Sequence, residues 1–121
     1  MKLNKEFLTT YSSKRHEKSY LTVFRTGRIR FPRNFFSTFE VSEKSKVGFE
    51  VKDDEINMIF AKNEDFELKI QVENYSNTFI ISNSNLCKYL FDFYKIDINA
   101  KVSFRLKISQ VDKDLFILGL I

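Results

Sequence analysis

Apolar and polar residues alternate in short runs along most of this chain, which is the pattern of half-buried β-strands. Such runs occur at 20–24, 28–31, 47–51, 66–72 and 102–108, and further short strands are predicted from the more continuously apolar runs at 56–60, 78–81 and 115–121. The runs are rich in Val, Ile, Phe and other residues that are favoured on a pleated surface. Polar segments between them predict turns, including Arg25-Thr26-Gly27 and Asp53-Asp54-Glu55.

The segment 34–40 predicts a short helix rather than a strand. It follows Pro32, whose fixed φ suits the first turn of a helix. Its apolar side is predicted to contain Phe35, Phe36 and Phe39.

A second helix is predicted from the capping residues at 82–84 to about Tyr94. Its apolar side is predicted to contain Leu86, Leu90 and Phe93, with Tyr89 beside them. With two such helices among the strands, the predicted fold class is mostly β with short helices, of the α+β type.

The order strand, strand, helix, strand, strand occurs twice. We assign a first unit to 20–63 and a second, degenerate unit to 64–121, both in one compact domain, after a basic N-terminal arm or short helix at 1–19. The offset between the units is 50 residues up to the helix and 55 residues after it. The aligned pairs are Ile29 with Phe79, Phe31 with Ile81, Phe36 with Leu86, Phe39 with Tyr89, Val47 with Val102, Phe49 with Phe104 and Val51 with Leu106. Each unit is too small to bury its own apolar surface, so the repeat predicts one shared, pseudo-symmetric core.

Composition narrows the class of protein. The chain has 121 residues, which suits one domain. No apolar run approaches the roughly 20 residues of a membrane-spanning helix, and the polar segment 1–20 has no secretory signal. Cys87 is the sole cysteine, which excludes an internal disulfide and favours a reducing, cytoplasmic location.

The charge of the chain is uneven. Residues 1–33 carry nine Lys or Arg and two acids, a formal +7, whereas the remainder carries 11 Lys or Arg and 14 acids, a formal −3. A basic end on a mildly acidic body favours a polyanionic partner, with duplex DNA ahead of RNA. The alternative is a solvated basic surface that serves solubility alone.

The densest positive charge lies in the stretch from Arg25 to Arg33, RTGRIRFPR, which also holds the single proline. In its predicted strand, Arg28 and Arg30 share one side and two apolar residues share the other. The predicted DNA-binding residues are Arg25, Arg28, Arg30 and Arg33, extended by Lys14, Arg15 and Lys18. Guanidinium groups stay charged and pair bidentately with phosphates or with guanine edges. The alternative for Arg28 and Arg30 is that they protect an exposed strand from aggregation.

The stretch Thr26 to Pro32, with the predicted helix and hairpin that follow, resembles the AbrB/MraZ (SpoVT-AbrB) superfamily. The matching pattern is a Gly-Arg-apolar-x-apolar-Pro strand, then a short helix, a loop and a hairpin. In the second unit the corresponding residues are Asn77 to Ser82, which lack the glycine, both arginines and the proline. The loop at 42–46 also lacks the family's glycine.

This resemblance implies a swapped-hairpin β-barrel built from two β-β-α-β-β units, and a DNA-binding transcriptional regulator. In the family, arginines of this strand and turn lie against the duplex, a role that carries over to Arg28 and Arg30. Because this chain presents them once, we expect useful affinity to need a homodimer or larger homo-oligomer. The alternative is a protein-interaction module, an adaptor, inhibitor or antitoxin-like protein, that kept the fold without DNA binding.

No motif in the sequence indicates an enzyme or a cofactor. His16 is the sole histidine and lies in a basic segment, and one histidine with one cysteine does not make a usual zinc site. Cys87 is interpreted as a small core residue rather than a nucleophile. The acidic segment 53–55 is interpreted as a hairpin turn rather than a metal site.

Overall fold

The computed structural model describes residues 20–42, 45–61, 68–73 and 78–121. The strands are β1 Tyr20–Phe24, β2 Arg28–Arg30, β3 Lys46–Lys52, β4 Glu55–Ala61, β5 Leu68–Lys69, β6 Gln71–Glu73, β7 Thr78–Ser82, β8 Ser103–Asp112 and β9 Leu115–Leu120. The helices are α1 Phe35–Thr38 and α2 Ser84–Phe93. The predicted mostly β fold with two short helices is confirmed. In the described ranges, neither helix has the length and apolar character needed to cross a membrane.

All nine strands form one antiparallel sheet in the order β5-β3-β4-β9-β8-β1-β2-β7-β6. The strands at its two ends, β5 and β6, belong to the same short segment and are separated by Ile70 alone. The first part of this segment pairs with β3 and the second part pairs with β7. The segment therefore joins the two ends of the sheet and nearly closes it into a barrel.

The barrel is held together by pairs between the two halves of the chain. β1 pairs with β8, and β5 pairs with β3, so each half adds its first strand to the hairpin of the other half. The other strand pairs between the halves in the described ranges are β2 with β7 and β4 with β9. Neither half forms this sheet alone, since removing either one leaves the other with unpaired strand edges.

Phenylalanine rings from both halves fill one part of the core. Phe35 of α1 is 1% exposed and packs against Phe60 of β4 and Phe116 of β9, with ring centroids 5.7 and 5.3 Å apart. Phe31, which follows β2, lies 5.2 Å from the Phe35 ring. The predicted apolar side of the first helix is confirmed by the burial of Phe35 and Phe36.

The predicted inner side of α2 is confirmed in part, because Leu90 is fully buried and Leu86 and Phe93 pack half-buried against the core. The buried residues are Cys87, Leu90 and Phe91, whereas Tyr89 is 49% exposed. The Phe91 ring meets Phe104 of β8 edge-on at 4.7 Å. Cys87, Leu90 and Phe91 thus form the fully buried side of α2, and Tyr89 lies on its exposed side.

The helix ends show a different alignment of the halves from the one predicted. The carbonyl oxygens of Phe36 and Phe91 each accept a hydrogen bond from the amide five residues later, at 3.0 and 2.8 Å. Glu40 and Lys95 both have left-handed φ values, 55° and 56°, at the same point of these turns. Phe36 therefore aligns with Phe91, and the predicted alignment with Leu86 is wrong. Five extra residues of the second half therefore lie before the end of α2.

The alignment of the hairpins also differs from the prediction. Val47 pairs with Phe60, and Leu106 pairs with Leu120, and each is the sixth cross-strand pair counted from its hairpin turn. Val47 therefore aligns with Leu106, and the predicted match with Val102 is wrong. A longer loop between α2 and β8 accounts for the additional offset, and a β-bulge between Gln110 and Asp112 adds one more residue before the hairpin turn.

Candidate nucleic-acid interface

The arginine strand has the two-sided character that its sequence predicts. Ile29 of β2 points into the barrel and is 1% exposed, while Arg28 and Arg30 lie on the outer surface. Arg28 is exposed and pairs across the sheet with Phe24 of β1 and Ser82 of β7. The strand lies between two other strands, so its backbone is fixed on both sides. The role of edge protection does not apply to β2, because β2 is not an edge strand.

Further cations lie next to β2 through β1 and β8. Thr22 of β1 forms cross-strand pairs with Arg30 on one side and Arg105 on the other. Neighbouring strands lie about 4.8 Å apart and directly paired residues point to the same side, so the Cα atoms of Arg30 and Arg105 are roughly 10 Å apart. Lys107 follows Arg105 on the same side of β8, and both side chains are exposed.

These side chains form one positively charged surface, which we call the basic face. It is defined by Arg28, Arg30, Arg105 and Lys107. β1, β2 and β7 contain no Asp or Glu, and the acid in β8, Asp112, lies at the hairpin end of the strand. Glu73 of β6 contributes a carboxylate beside Arg30. The five side chains of this surface, Glu73 included, carry a formal charge of +3.

Arg30 is engaged by neighbours, whereas Arg28 has an exposed side chain. The Arg30 Nη2 atom lies 3.5 Å from Glu73 Oε2, and its guanidinium carbon lies 5.0 Å from the centre of the Phe24 ring. The ion pair is longer than the 2.7–2.9 Å typical of a charge-assisted hydrogen bond. Arg30 Nε and Glu73 Oε2 are buried atoms without a hydrogen-bond partner in the described part of the chain. The ion pair is therefore incompletely satisfied.

The other predicted DNA-binding residues lie at the ends of β2 or outside the described ranges. Arg25 is exposed in the β1–β2 turn, where its backbone amide donates to the Val102 carbonyl at 2.9 Å. Arg33 is exposed in the turn before α1. Lys14, Arg15 and Lys18, together with His16, lie outside the described residues. The sequence interpretation did not include Arg105 and Lys107 because their position beside Arg30 depends on the pairing of β1 with β8.

Gly27 fixes the turn that leads into the arginine strand. Its amide donates to the Phe24 carbonyl at 3.0 Å, and its own carbonyl accepts from the Asn83 amide at 2.9 Å. Its φ is +104°, and a Cβ atom here would lie 3.0 Å from the Cα atom of Ser84. The backbone of the turn is thus packed directly against the start of α2, where the Asn83 side chain accepts a hydrogen bond from Leu86.

We expect Gly27→Ala to destabilise the protein by about 1–3 kcal/mol, because it adds both backbone strain and a contact with Ser84. Thermal denaturation followed by circular dichroism measures this change. The matched control is Gly119→Ala, since a Cβ atom on Gly119 meets nothing within 4 Å. Equal melting temperatures for the two variants would show that the turn does not need glycine.

An apolar groove lies at one end of the barrel. It has a volume of about 420 Å³ and is lined by Tyr20, Ile96, Lys101, Ser103, Phe104, Arg105, Leu120 and Ile121. Leu120 and Ile121 are 52% and 64% exposed, and Val102 nearby in the chain is 58% exposed. A groove of this volume is large enough to bind part of a partner.

The described residues do not assemble a reactive centre around Cys87. Its side chain is fully buried, which confirms its interpretation as a core residue. Burial raises the pKa of the Cys87 thiol from 9.0 to about 11, so the thiol is protonated at neutral pH and is a poor nucleophile.

The acidic segment before β4 forms the predicted hairpin turn. Asp53 and Asp54 have φ values of 53° and 61°, which suit a tight two-residue connection. In the described ranges, no group of three or more metal-binding side chains comes together.

We compared the chain with protein-family models, with curated protein sequences and with solved structures, and none of these comparisons found a match.

Proposed function

We propose that this protein is an AbrB/MraZ-like DNA-binding protein, a transcriptional regulator that contacts duplex DNA through the basic face. The observation that carries the proposal is the convergence of Arg28 and Arg30 from the first half with Arg105 and Lys107 from the second half on one outer surface. Basic residues that serve solubility alone would not need to lie together on one surface. Because these cations extend from a paired sheet, their backbone positions are fixed before binding, and only the side chains remain to be ordered on an array of phosphates.

The strand pairing supports the finer fold assignment within this proposal. Each half of the chain places its first strand against the hairpin of the other half. This exchange is the arrangement that a swapped-hairpin barrel requires, and it agrees with the resemblance carried by Thr26 to Pro32. The proposal includes a cytoplasmic location and no cofactor.

Binding of the duplex begins with electrostatic attraction between the basic face and the phosphates. Lys and Arg that neutralise phosphates release condensed counterions, so affinity falls as salt rises, by a slope of about −0.9 per phosphate contact. Arg105 and Lys107 are exposed and can make such contacts. A single chain presents one basic face, so a homodimer or larger homo-oligomer would double the array and raise the affinity.

We expect Arg28→Ala/Arg30→Ala to lower duplex affinity at low salt by about tenfold or more, and to flatten the salt dependence by less than two phosphate contacts would, because Glu73 beside Arg30 opposes a phosphate there. Fluorescence anisotropy of a labelled duplex, titrated at several salt concentrations, measures both quantities. The matched control is Lys52→Ala/Lys113→Ala, which removes the same charge from hairpin tips. If both double variants lose affinity equally, net charge and not the basic face controls binding.

The apolar groove favours a second candidate, a protein-interaction module. Its exposed Leu120 and Ile121 and its lining by Ile96 and Phe104 suit an apolar side chain of a partner. Folded wild-type protein that fails to bind any duplex at low salt would support this candidate over DNA binding.

A further inference from the structure

A small pocket opens on the outer surface beside the basic face. It has a volume of about 150 Å³ and is lined by Phe24, Thr26, Arg28, Arg30, Glu73 and Ile80. Strands from both halves of the chain contribute to it, since β6 and β7 pair beside β2. Its walls thus include two guanidinium groups, one carboxylate and one aromatic ring.

The carboxylate of Glu73 sets the chemistry of this pocket. A phosphate placed beside Arg28 and Arg30 would be attracted by both arginines but repelled by Glu73, which lies 3.5 Å from Arg30. The repulsion makes the pocket a poorer phosphate site than the exposed cations of β8. A neutral ligand with hydrogen-bond acceptors beside an amine donor would satisfy both kinds of side chain.

The Arg30–Glu73 ion pair leaves both side chains able to form further hydrogen bonds. A ligand could form them after a small rotation of the two side chains. Arg30 Nε and Glu73 Oε2 are buried without hydrogen bonds within the described ranges. The 3.5 Å separation is also longer than that of a closed ion pair. Arg30 and Glu73 are therefore close together, yet each keeps hydrogen-bonding capacity for a ligand.

We propose that Glu73 is a specificity-determining residue that makes this pocket a reader of base edges rather than of phosphates. In the major groove, guanine presents two acceptors to arginine, and the cytosine paired with it presents an amine that Glu or Asp accepts. Arg28 and Arg30 bind the guanine edge, and Glu73 accepts a hydrogen bond from cytosine N4. This inference rests on the proposed DNA-binding function and assigns a G·C pair to the pocket.

The test compares two duplexes of equal length, one made of A·T pairs alone and one containing G·C pairs. Wild-type protein is expected to prefer the G·C duplex by roughly 5- to 150-fold, the range for one well-placed base contact. Glu73→Met, which removes the acceptor, is expected to lower this ratio towards one and to strengthen binding of the A·T duplex. Glu73→Gln, which keeps an acceptor but removes the charge, is expected to retain part of the preference.

The control is Asp54→Asn in the β3–β4 turn, which makes the same charge change at an exposed position with φ of 61° that asparagine tolerates. It is expected to leave the ratio at the wild-type value. A wild-type protein that binds both duplexes equally, or a Glu73→Met variant with the wild-type ratio, overturns the assignment of Glu73. Equal gains for both duplexes in both Glu73 variants also overturn it, because Glu73 would then only mask Arg30. Wild-type protein that binds neither duplex at low salt overturns the proposed function itself.

Discussion

Phe35→Ala is expected to destabilise this protein by about 3–5 kcal/mol, the range for removing a fully buried phenylalanine. The Phe35 ring is 1% exposed, and its centroid lies within 6 Å of five other rings. These rings are Phe31, Phe36, Phe39, Phe60 and Phe116. Two of the five lie on β4 and β9, the strands that join the halves, so the cavity would weaken the barrel as a whole. For a chain of this size, the melting temperature should fall by on the order of 10 °C.

Thermal and urea denaturation of wild type, Phe35→Ala and Tyr89→Ala measure this effect. Tyr89 is 49% exposed on α2 and has one ring contact, with Phe93 at 6.2 Å, so its removal should cost about 1 kcal/mol or less. A Phe35→Ala variant as stable as Tyr89→Ala would contradict the packing of this cluster. A broad loss of cooperativity would instead show that the cluster holds the two halves together.

Arg105→Ala/Lys107→Ala is expected to weaken duplex binding as much as the double substitution in β2 does. Both side chains are exposed on β8, and within the described ranges no carboxylate pairs with them as Glu73 pairs with Arg30. The loss of two phosphate contacts should flatten the salt slope by about 1.8 and lower affinity at low salt by about tenfold or more. Anisotropy titrations across a salt series measure both values.

The Lys52→Ala/Lys113→Ala variant again serves as the charge control. A salt slope unchanged by Arg105→Ala/Lys107→Ala would remove β8 from the interface and leave β2 to act alone. Combining the β2 and β8 substitutions should abolish measurable binding, since both sets belong to one face. All four side chains lie on the outer surface, so we expect each variant to fold. Melting curves check this expectation.

Local patterns predict the strands of this chain well. The alternation at 20–24 and the apolar run at 56–60 are local patterns, and both strands lie where these patterns predict. Gly27 and the pair Asp53-Asp54 predict turns for a similarly local reason, because they tolerate left-handed backbone. The buried and exposed sides of β2 follow from the same alternation.

Long-range register and helix rotation could not be predicted in this way. The pairing of Thr22 with Arg105 joins residues far apart in the chain, and nothing in the local pattern of either strand specifies the other. On α2, two overlapping apolar faces share Leu90, one with Leu86 and Phe93 and the other with Cys87 and Phe91. Packing against the sheet, which the local sequence does not specify, buries the second face most deeply. The interface residues contributed by β8 and β6 were missed for the first of these reasons.

The central claim is that the basic face contacts duplex DNA, and backbone amide chemical shifts followed during a duplex titration test it most directly. The account predicts the largest changes in β2, from Arg28 to Arg30, and in β8, from Ser103 to Lys107, with smaller changes in the hairpin of β3 and β4. The changes should shrink as salt is added, because phosphate contacts dominate. Shifts centred on β3 and β4, or no shifts at low salt, would contradict the account.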